Sequence, residues 1–338
     1  IVPGIMIKVF YTSSENKNYF GVNQVLYSLK KFLNKKTLIY NTGSFYKFLG
    51  NKYDLIHIHG CWKIRLFLYF LLSKLKDIKI IISPHGMLDP HSLKNKKLVK
   101  IIFWYFFQKV IFSLSDRIIV NSVLEKNNVL KMVKHDNIKV IPHGIQLDSK
   151  NNKIKKSKKN SLKFVFFSKI HPSKNLLGLI NLWINKKFLK NLDLSIYGEI
   201  TDNHYFQKVS KKISKNKNIK YQGALYKNKI KILSNYDVFI FPSKSENFGL
   251  VVLEALASGL YIILDKNLSW VNLKKLGFAS LITFKENSLI EEIKNINKIK
   301  QKIRSKHYLK KTRYYLKKKH NWNIISSNYL NNYKNLVN

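Results

Sequence analysis

The chain has 338 residues, with 62 Lys and Arg against 18 Asp and Glu, a formal net charge of +44, and a single cysteine. This length fits two medium-sized domains, and one cysteine excludes an intrachain disulfide and favours a reducing compartment. The charge favours anionic partners such as phosphorylated substrates, acidic lipid or nucleic acid, although lysines spread along the whole chain fit compositional drift at least as well.

The first half of the sequence alternates short apolar runs with helical stretches. Strands are predicted at residues 6–11, 37–40, 54–58, 78–83, 117–121 and 139–142. Between the first two, Val22, Val25 and Leu29 recur at the three- and four-residue spacing of an amphipathic helix. The alternation predicts an α/β domain with a parallel sheet.

Residues 98–114 are the most membrane-like stretch of the chain. Lys100, Gln108 and Lys109 interrupt it, and it is too short to span a bilayer, so we expect a packed or interfacial helix. The first ten residues lack the basic start and the long apolar centre of a signal peptide. We therefore expect the protein in the cytoplasm.

A polar, lysine-rich segment at residues 148–161 separates two similar halves. We expect an N-terminal domain at 1–155, a second domain at 156–318 and a C-terminal amphipathic helix at 319–338. Strands of the second half are predicted at residues 162–167, 192–197, 219–222, 237–241, 261–264 and 279–283.

Two carboxylates flank a predicted helix start in the second half. The apolar run 237–241 ends at Pro242, and residues 248–257 have helix-forming composition. Glu246 is thus expected in the loop before the helix and Glu254 inside it. Backbone N–H groups at such a helix start attract a phosphate or a polar sugar.

Further polar residues follow predicted strands, at the sheet edge where open α/β sheets bind ligands. Gly21, at the first helix start, would let the backbone approach a phosphate, although a lone glycine more often serves a turn. Lys169 and Lys174 follow the first strand of the second half and together suit a diphosphate, although most lysines in this chain are expected to be solvated.

His85, in Ser83-Pro-His-Gly-Met-Leu-Asp-Pro90, follows the strand at residues 78–83, where an imidazole can donate to substrate oxygens. A structural hydrogen bond is the more frequent role of a lone histidine. His57, His59, His91 and His143 compete for the same assignment, but they lack its setting of a clean strand before and glycine and prolines after.

The sequence gives little reason to expect a metal or a cofactor. His57 and His59 alternate on a predicted strand without a set of further ligands at zinc spacing. The chain also lacks an Asp-x-Asp element that would hold a divalent metal against a nucleotide diphosphate. We therefore expect no metal site, and lysines rather than a metal to neutralise a leaving diphosphate.

In this order, these elements resemble the retaining GT-B glycosyltransferases of family four over nearly the whole chain. Residues 245–255, Ser-Glu-Asn-Phe-Gly-Leu-Val-Val-Leu-Glu-Ala, resemble the family's Glu-x7-Glu signature, and residues 168–174 resemble its phosphate-binding loop. Residues 83–90 are similar to a subgroup associated with bacterial surface polysaccharides. The resemblance implies an α/β GT-B fold, two Rossmann-like domains facing across a cleft, with a C-terminal helix that crosses back to the first domain.

The resemblance also implies a role for each matching residue. Glu254 would bind the nucleotide ribose, and Glu246 would hold the donor sugar and the distal phosphate. The backbone that helps Glu246 in this belongs to Asn247, Phe248, Gly249 and Leu250.

On the catalytic side, the resemblance implies that Lys169 and Lys174 neutralise the diphosphate as the glycosyl bond breaks. His85 would contact the transferred sugar, and Gly21 would let the first-domain loop approach the phosphates. Two departures from the family pattern bear on this. Lys169 stands where arginine is usual and lacks its bidentate fork, and Gly21 stands where two glycines often occur.

The function implied is the transfer of a sugar from a nucleotide-sugar donor, with retention of configuration, to a saccharide or a polyprenyl-diphosphate-linked acceptor. The product would be a bacterial surface polysaccharide, such as lipopolysaccharide, capsule or exopolysaccharide. We expect neither metal nor cofactor, and peripheral contact with an anionic membrane at the inner face of the cytoplasmic membrane would suit the basic charge.

Three alternatives remain open from the sequence. A nucleotide-sugar epimerase of similar architecture would turn over donor without an acceptor, and a catalytically silent relative would only bind sugar. A basic nucleic-acid-binding protein would show a steep salt dependence, although no zinc finger, RNA-recognition signature or basic zipper is recognisable.

Overall fold

The computed structural model describes residues 7–14, 20–33, 38–41, 45–94, 97–147 and 161–338. They divide into two compact units, one within Ile1–Gly144 and His320–Asn338 and the other within Ile145–Lys319. The expected domain boundary at 155/156 lies outside the described residues, as does the loop that precedes the helix of Gly21.

A parallel sheet forms the centre of the first unit. Its strands, in chain order, are β1 (Ile7–Ser13), β2 (Leu38–Asn41), β3 (Leu55–His59), β4 (Lys79–Ser83), β5 (Arg117–Val120) and β6 (Ile138–Val140). Their spatial order is β2-β1-β3-β4-β5-β6. Ser13 pairs with His59 and His59 with Ser83, so these three polar residues lie together at the carboxyl edge of the sheet.

Helices connect these strands, as the sequence pattern predicts. They are α1 (Phe20–Leu33), α2 (Phe45–Leu49), α3 (Ile64–Leu75), α4 (Pro90–Lys94), α5 (Lys97–Phe103), α6 (Lys109–Leu114) and α7 (Val123–Leu130), with a π-helical turn at Trp104–Gln108 between α5 and α6. The stretch at 98–114 is thus helical. Within the described ranges, no helix is both long and apolar enough to cross a membrane.

A second parallel sheet forms the centre of the second unit. Its strands are β7 (Phe164–Phe167), β8 (Leu194–Tyr197), β9 (Ile219–Tyr221), β10 (Val238–Phe241), β11 (Tyr261–Asp265) and β12 (Ala279–Ile282). The spatial order is β12-β11-β10-β7-β8-β9. β7 and β10 are neighbours, and the strands that follow them, β8 and β11, lie in opposite directions along the sheet. Open α/β sheets bind ligands at such a switch point.

The helices of this unit pack on both faces of the sheet. They are α8 (Leu176–Asn185), α9 (Lys187–Lys190), α10 (Asn203–Ile213), α11 (Lys229–Leu233), α12 (Leu250–Ala257), α13 (Val271–Lys275), α14 (Glu286–Lys298), α15 (Lys300–Arg304) and α16 (Lys306–Lys319), with a 3₁₀ turn at Pro172–Lys174. Strands with both faces covered are apolar throughout, and β7 and β10 are buried at every residue.

The last helix, α17 (Trp322–Val337), belongs to the first unit and packs against α1. Its buried side chains include Trp322, Tyr329 and Tyr333, which join a core with β1 residues such as Val9 and Tyr11. The C-terminal helix therefore completes one face of the first sheet, in agreement with the expectation that it returns to the first domain.

Every predicted strand is present, with ends that differ from the prediction by at most two residues. The helix predicted at 248–257 begins two residues later, at Leu250, because Gly249 has a left-handed conformation that a helix cannot include.

Candidate functional site

Two loops meet at the switch point of the second sheet, one after β7 and one after β10. The first is anchored to the end of β8, since the Ser168 N–H donates to the Tyr197 carbonyl (3.1 Å) and the Ile170 N–H to the Glu199 carbonyl (2.8 Å). A Cβ on Gly198 would lie 1.8 Å from the Ser168 oxygen, so this close approach requires glycine. The loop of Lys169 thus has a fixed backbone.

The turn of Lys174 is also closely held. His171 caps the 3₁₀ turn, because its Nδ1 accepts a hydrogen bond from the Ser173 N–H at 3.2 Å. Asn175 then takes a left-handed conformation with φ of 54°, and α8 begins at the next residue. The turn directs Lys174 toward the loop that follows β10.

Lys174 and Glu246 form an ion pair between the two loops, through Nζ and Oε1. Both side chains are mostly buried, with exposed fractions of 19% and 14%. The Ser243 hydroxyl lies 3.1 Å from the same carboxylate oxygen and 3.3 Å from the Ser173 carbonyl. The structure therefore brings together one lysine and one carboxylate that the sequence placed in separate motifs.

Glu246 lies just before α12, whose first residue is Leu250. Gly249 has φ of 79°, a value that favours glycine, and it turns the chain into the helix. Phe248 packs edge-on against Trp270, with ring centres 5.1 Å apart. These contacts fix the Asn247 to Leu250 backbone, whose N–H groups form the amino end of the helix.

Glu254 lies in the second turn of α12 and is 8% exposed. Its Oε1 accepts a hydrogen bond from Lys229 Nζ at 2.8 Å. Burial raises the pKa of the Glu254 carboxyl, and the Lys229 ammonium opposes that rise. Lys229 was missed in the sequence, since no spacing rule separates it from its many neighbouring lysines.

His85 belongs to the first unit, in the turn after β4. It has φ of 52°, a left-handed conformation uncommon for residues other than glycine, and Gly86 follows with φ of 77°. The buried carboxylate of Glu125 accepts hydrogen bonds from the backbone N–H groups of Gly86 and Asn121. Ser122-x-x-Glu125 has the pattern of a capping box and is a sequence signal that could have identified Glu125.

Both ring nitrogens of His85 have partners within the first unit. Asn121 Nδ2 lies 3.3 Å from His85 Nδ1, and His59 Nδ1 lies 2.8 Å from His85 Nε2. Because an amide nitrogen only donates, His85 Nδ1 accepts and its proton resides on Nε2, which donates to His59. The remaining His59 proton is then on Nε2, a buried atom without a hydrogen-bond partner in the described part of the chain.

Burial keeps this group of histidines uncharged. It lowers the pKa of His85 to about 4. It also holds the pKa values of His57, His59 and His143 well below the usual range, with added repulsion from His85. At neutral pH, His85 is therefore a neutral hydrogen-bonding group.

A separate hydrogen-bond chain runs beneath the same sheet edge. Tyr11 donates to the Tyr333 hydroxyl (2.9 Å), Tyr333 lies 2.8 Å from His57 Nδ1, and His57 Nε2 lies 2.9 Å from Ser83 Oγ. This chain ties the C-terminal helix to β1, β3 and β4, so His57 has a structural partner on each side.

Among the described residues, no cluster of three or more His, Cys, Asp or Glu could hold a metal ion. Gly21 is the second residue of α1. The predicted site residues thus fall into two sets, Gly21 and His85 in the first unit, and the lysines, carboxylates and helix start in the second.

Comparisons with known proteins agree with this architecture. Residues 148–321 match the family described as Glycosyl transferases group 1, and residues 7–149 match Glycosyltransferase Family 4. An uncharacterized 41.2 kDa protein in the cps region of Klebsiella pneumoniae is 27% identical over 256 residues, which cover 72% of this chain and 69% of that protein.

Solved structures of other proteins share the fold at low sequence identity. HepE of Anabaena, in complex with UDP and glucose, superposes with a TM-score of 0.72 at 15% identity, covering 97% of this chain and 100% of that one. WaaG, a glycosyltransferase involved in lipopolysaccharide biosynthesis, superposes with a TM-score of 0.63 at 11% identity, covering 95% and 98%. These similarities confirm the predicted α/β GT-B fold.

Proposed function

Since the chain belongs to the glycosyl transferases group 1 family, we propose that it transfers a sugar from a nucleotide-sugar donor with retention of the anomeric configuration. The acceptor is a saccharide, carried on a lipid diphosphate, of a growing bacterial surface polysaccharide. The observation that carries this proposal is that two carboxylates at the switch point of the second sheet each form an ion pair with a lysine, Glu246 with Lys174 and Glu254 with Lys229.

Glu254 and Glu246 serve as hydroxyl acceptors in the proposed donor complex. Glu254 accepts from the ribose, and Glu246 accepts from the donor sugar while the backbone of Asn247 to Leu250 faces the distal phosphate. A carboxylate accepts strong, directional hydrogen bonds from hydroxyl groups, and a helix amino end favours negative charge. Neither carboxylate needs to act as an acid or a base.

Lys169 and Lys174 supply the positive charge for the leaving group. As the bond from the sugar to the diphosphate breaks, the phosphate oxygen gains negative charge, which a fixed ammonium group stabilises. An ammonium has three N–H donors, so Lys174 can bind a phosphate oxygen while it keeps Glu246. The acceptor oxygen bonds to the anomeric carbon on the same face of the sugar from which the diphosphate leaves, and the leaving phosphate oxygen takes the proton of the acceptor hydroxyl. Bond formation on that face gives retention.

No divalent metal is required in the proposed mechanism, because the two lysines act as the counter-charge. The absence of an Asp-x-Asp element from the sequence supports this. Activity is therefore expected to persist after exhaustive treatment with EDTA, and a requirement for added Mg²⁺ or Mn²⁺ would contradict this part of the proposal.

The proposed acceptor class rests on the relatives. One is encoded in a cps region, and WaaG takes part in lipopolysaccharide biosynthesis. Lipid-linked acceptors lie at a membrane, and an exposed surface on the first unit suits such a site. We call it the α5–α6 surface, and it consists of Leu98, Val99, Ile102, Tyr105 and Phe106.

The α5–α6 surface is unusually apolar for side chains in contact with solvent. Leu98 is 77% exposed, Ile102 60% and Phe106 69%, at the four-residue spacing of one helix face. Lys97 and Lys109 border it and are exposed. Apolar side chains with lysines beside them are typical of helices that lie on an anionic lipid surface, which we propose as the partner.

A panel of nucleotide sugars tests the proposed function. Uridine, guanosine, adenosine and thymidine donors are added singly, and the melting temperature is measured, because a ligand that binds only the folded state stabilises it. Binding of one donor, followed by transfer to a lipid-linked acceptor with the anomeric configuration assigned by NMR, is the expected result. Turnover of donor without any acceptor would favour an epimerase, and binding of none would contradict the proposal.

A further inference from the structure

Lys229 is the first residue of α11 and reaches the neighbouring helix α12, where its ammonium contacts Glu254. The exposed fractions of the two side chains are 24% and 10%. Lys229 Nζ also lies 5.5 Å from the centre of the Phe167 ring, at the carboxyl end of β7. The ammonium is thus fixed by two contacts at the edge of the sheet where the switch point lies.

Other charged or titratable groups on the elements around α12 have different partners. On α16, Arg313 donates to the Ala257 carbonyl (3.2 Å), at the far end of α12. On β11, the Tyr261 hydroxyl pairs with Ser280, and the Asp265 carboxylate binds Asn267. Among the described residues, Lys229 is therefore the cation that contacts the Glu254 carboxylate.

We propose that Lys229 is a positioning residue of the donor site, which keeps Glu254 ionised and leaves Oε2 as a charged acceptor for hydroxyl groups of the nucleotide sugar. This inference rests on the proposed function. A buried carboxyl without a nearby cation takes up a proton, and the neutral acid accepts weaker hydrogen bonds than the carboxylate. Loss of Lys229 is therefore expected to make donor binding depend on pH.

The ionisation of Glu254 can be measured without any ligand. In protein labelled with ¹³C at the glutamate carboxyl carbons, the Glu254 resonance is assigned by its disappearance in Glu254→Gln. The expected result is a pKa at least about one unit higher in Lys229→Met than in the wild type, and close to the wild-type value in Lys229→Arg, because a cation remains. An unchanged pKa in Lys229→Met would overturn the inference.

The second measurement is the affinity for UDP-glucose, or for the nucleotide sugar that the panel identifies, at about pH 8 and about pH 5.5. The diphosphate of a nucleotide sugar does not titrate in this range, so a change in affinity reports on the protein. We expect Lys229→Met to lose about tenfold more affinity than the wild type between the two pH values. Lys231→Met, on the exposed side of the same helix, serves as the control and should follow the wild type.

The two measurements separate this inference from the proposed function. If the wild type binds no nucleotide sugar, the proposed function fails, while the NMR titration still decides whether Lys229 sets the ionisation of Glu254. An equal loss of affinity for Lys229→Met at both pH values would show a purely structural role and would contradict the inference.

Discussion

Lys174 and Glu246 are 72 residues apart in the chain and form a mostly buried ion pair across the switch point of the second sheet. The pair joins the loop after β7 to the loop before α12, so it couples the proposed phosphate-binding cation to the proposed sugar-binding carboxylate. Ser243 bridges the same two loops, since its hydroxyl lies within hydrogen-bonding distance of Glu246 and of the Ser173 carbonyl.

Replacement of Lys174 is expected to lower kcat/KM more than replacement of Lys169. Lys174→Met removes the ammonium that stabilises the leaving diphosphate, and we expect kcat/KM to fall about 100-fold or more. Lys244→Met is the matched control, because Lys244 lies in the adjoining loop with an exposed side chain. Steady-state kinetics with the identified donor measure both variants, and equal activity of the two would contradict the role of Lys174.

Lys169 offers a complementary test, because the family usually has arginine at this position. Lys169→Arg keeps the charge and presents N–H donors in a planar fork that can bind a phosphate through two parallel hydrogen bonds. The activity of this variant should therefore equal or exceed that of the wild type. Lys169→Met should lose about tenfold or more in kcat/KM. Full activity of Lys169→Met would remove this lysine from the proposed mechanism.

Glu254→Gln is expected to weaken donor binding. The amide keeps the size of the side chain but replaces a charged acceptor, and a hydrogen bond to a charged group contributes about 1.5–3 kcal/mol, or about tenfold to a hundredfold in Kd. Isothermal titration calorimetry measures the change, with the exposed Glu291→Gln on α14 as control. A Kd for Glu254→Gln within about twofold of the wild type would exclude Glu254 from the donor site.

The strands were predictable from the sequence because both faces of each sheet are covered. A strand such as β10, Val238–Phe241, is buried at every residue and therefore reads as an apolar run between polar loops. Their spatial order was not predictable. The first sheet places β1 between β2 and β3, whereas the second places β7 between β10 and β8, and no local signal in the sequence distinguishes the two.

The site was predictable at the level of motifs but not of pairs. The positions of Glu246 and Glu254 follow from a strand, a loop and a helix that are contiguous in the chain. The lysines that pair with them are fixed only by the tertiary fold, and a chain rich in lysine offers many candidates for each. His59 and Asn121 also reach His85 only through the tertiary fold, so the sequence did not identify them as its partners.

His85→Ala is expected to lower turnover and to leave donor binding nearly unchanged. His59 and Asn121 hold the neutral imidazole in the turn after β4. The resemblance to family four implies that this imidazole contacts the transferred sugar. We expect kcat to fall about tenfold or more, with the donor Kd within about twofold of the wild type. His204→Ala, at an exposed position on α10, is the control. A normal kcat for His85→Ala would contradict its proposed role.

The buried histidines predict a loss of stability in mild acid. Their pKa values in the folded state lie below the ordinary value, and that of His85 is about 4, so the unfolded chain binds protons first as the pH falls. The contribution of these histidines to the free energy of unfolding is therefore full above about pH 6.5. It decreases as the pH falls from there toward 4, by up to about 1.4 kcal/mol per pH unit for each histidine. Urea unfolding at a series of pH values measures the slope.

A slope close to zero between about pH 6.5 and pH 5 would contradict the neutral histidine group. His57→Asn gives a second check, because it removes one titrating site between Tyr333 and Ser83. The variant is expected to be less stable at neutral pH but to have a shallower dependence on pH, a combination that a general loss of packing does not produce.

The α5–α6 surface predicts binding to anionic membranes that depends on apolar side chains as well as on charge. Because the net charge of +44 attracts any anionic vesicle, charge alone cannot identify the surface, and the informative variants keep every lysine. Ile102→Ser combined with Phe106→Ser removes two exposed apolar groups, each worth about 1.5–3 kcal/mol when fully buried. Co-sedimentation with phosphatidylglycerol vesicles in moderate salt should show affinity reduced about tenfold or more.

Val271→Ser combined with Leu276→Ser is the matched control, since both side chains are exposed, 52% and 44%, on the second unit. This variant should bind the vesicles as the wild type does, and vesicles of phosphatidylcholine should bind all three proteins weakly, because the lysines around the surface then lack their anionic partners. If the two double variants bind phosphatidylglycerol equally, attraction is by net charge alone and the α5–α6 surface is not the membrane contact.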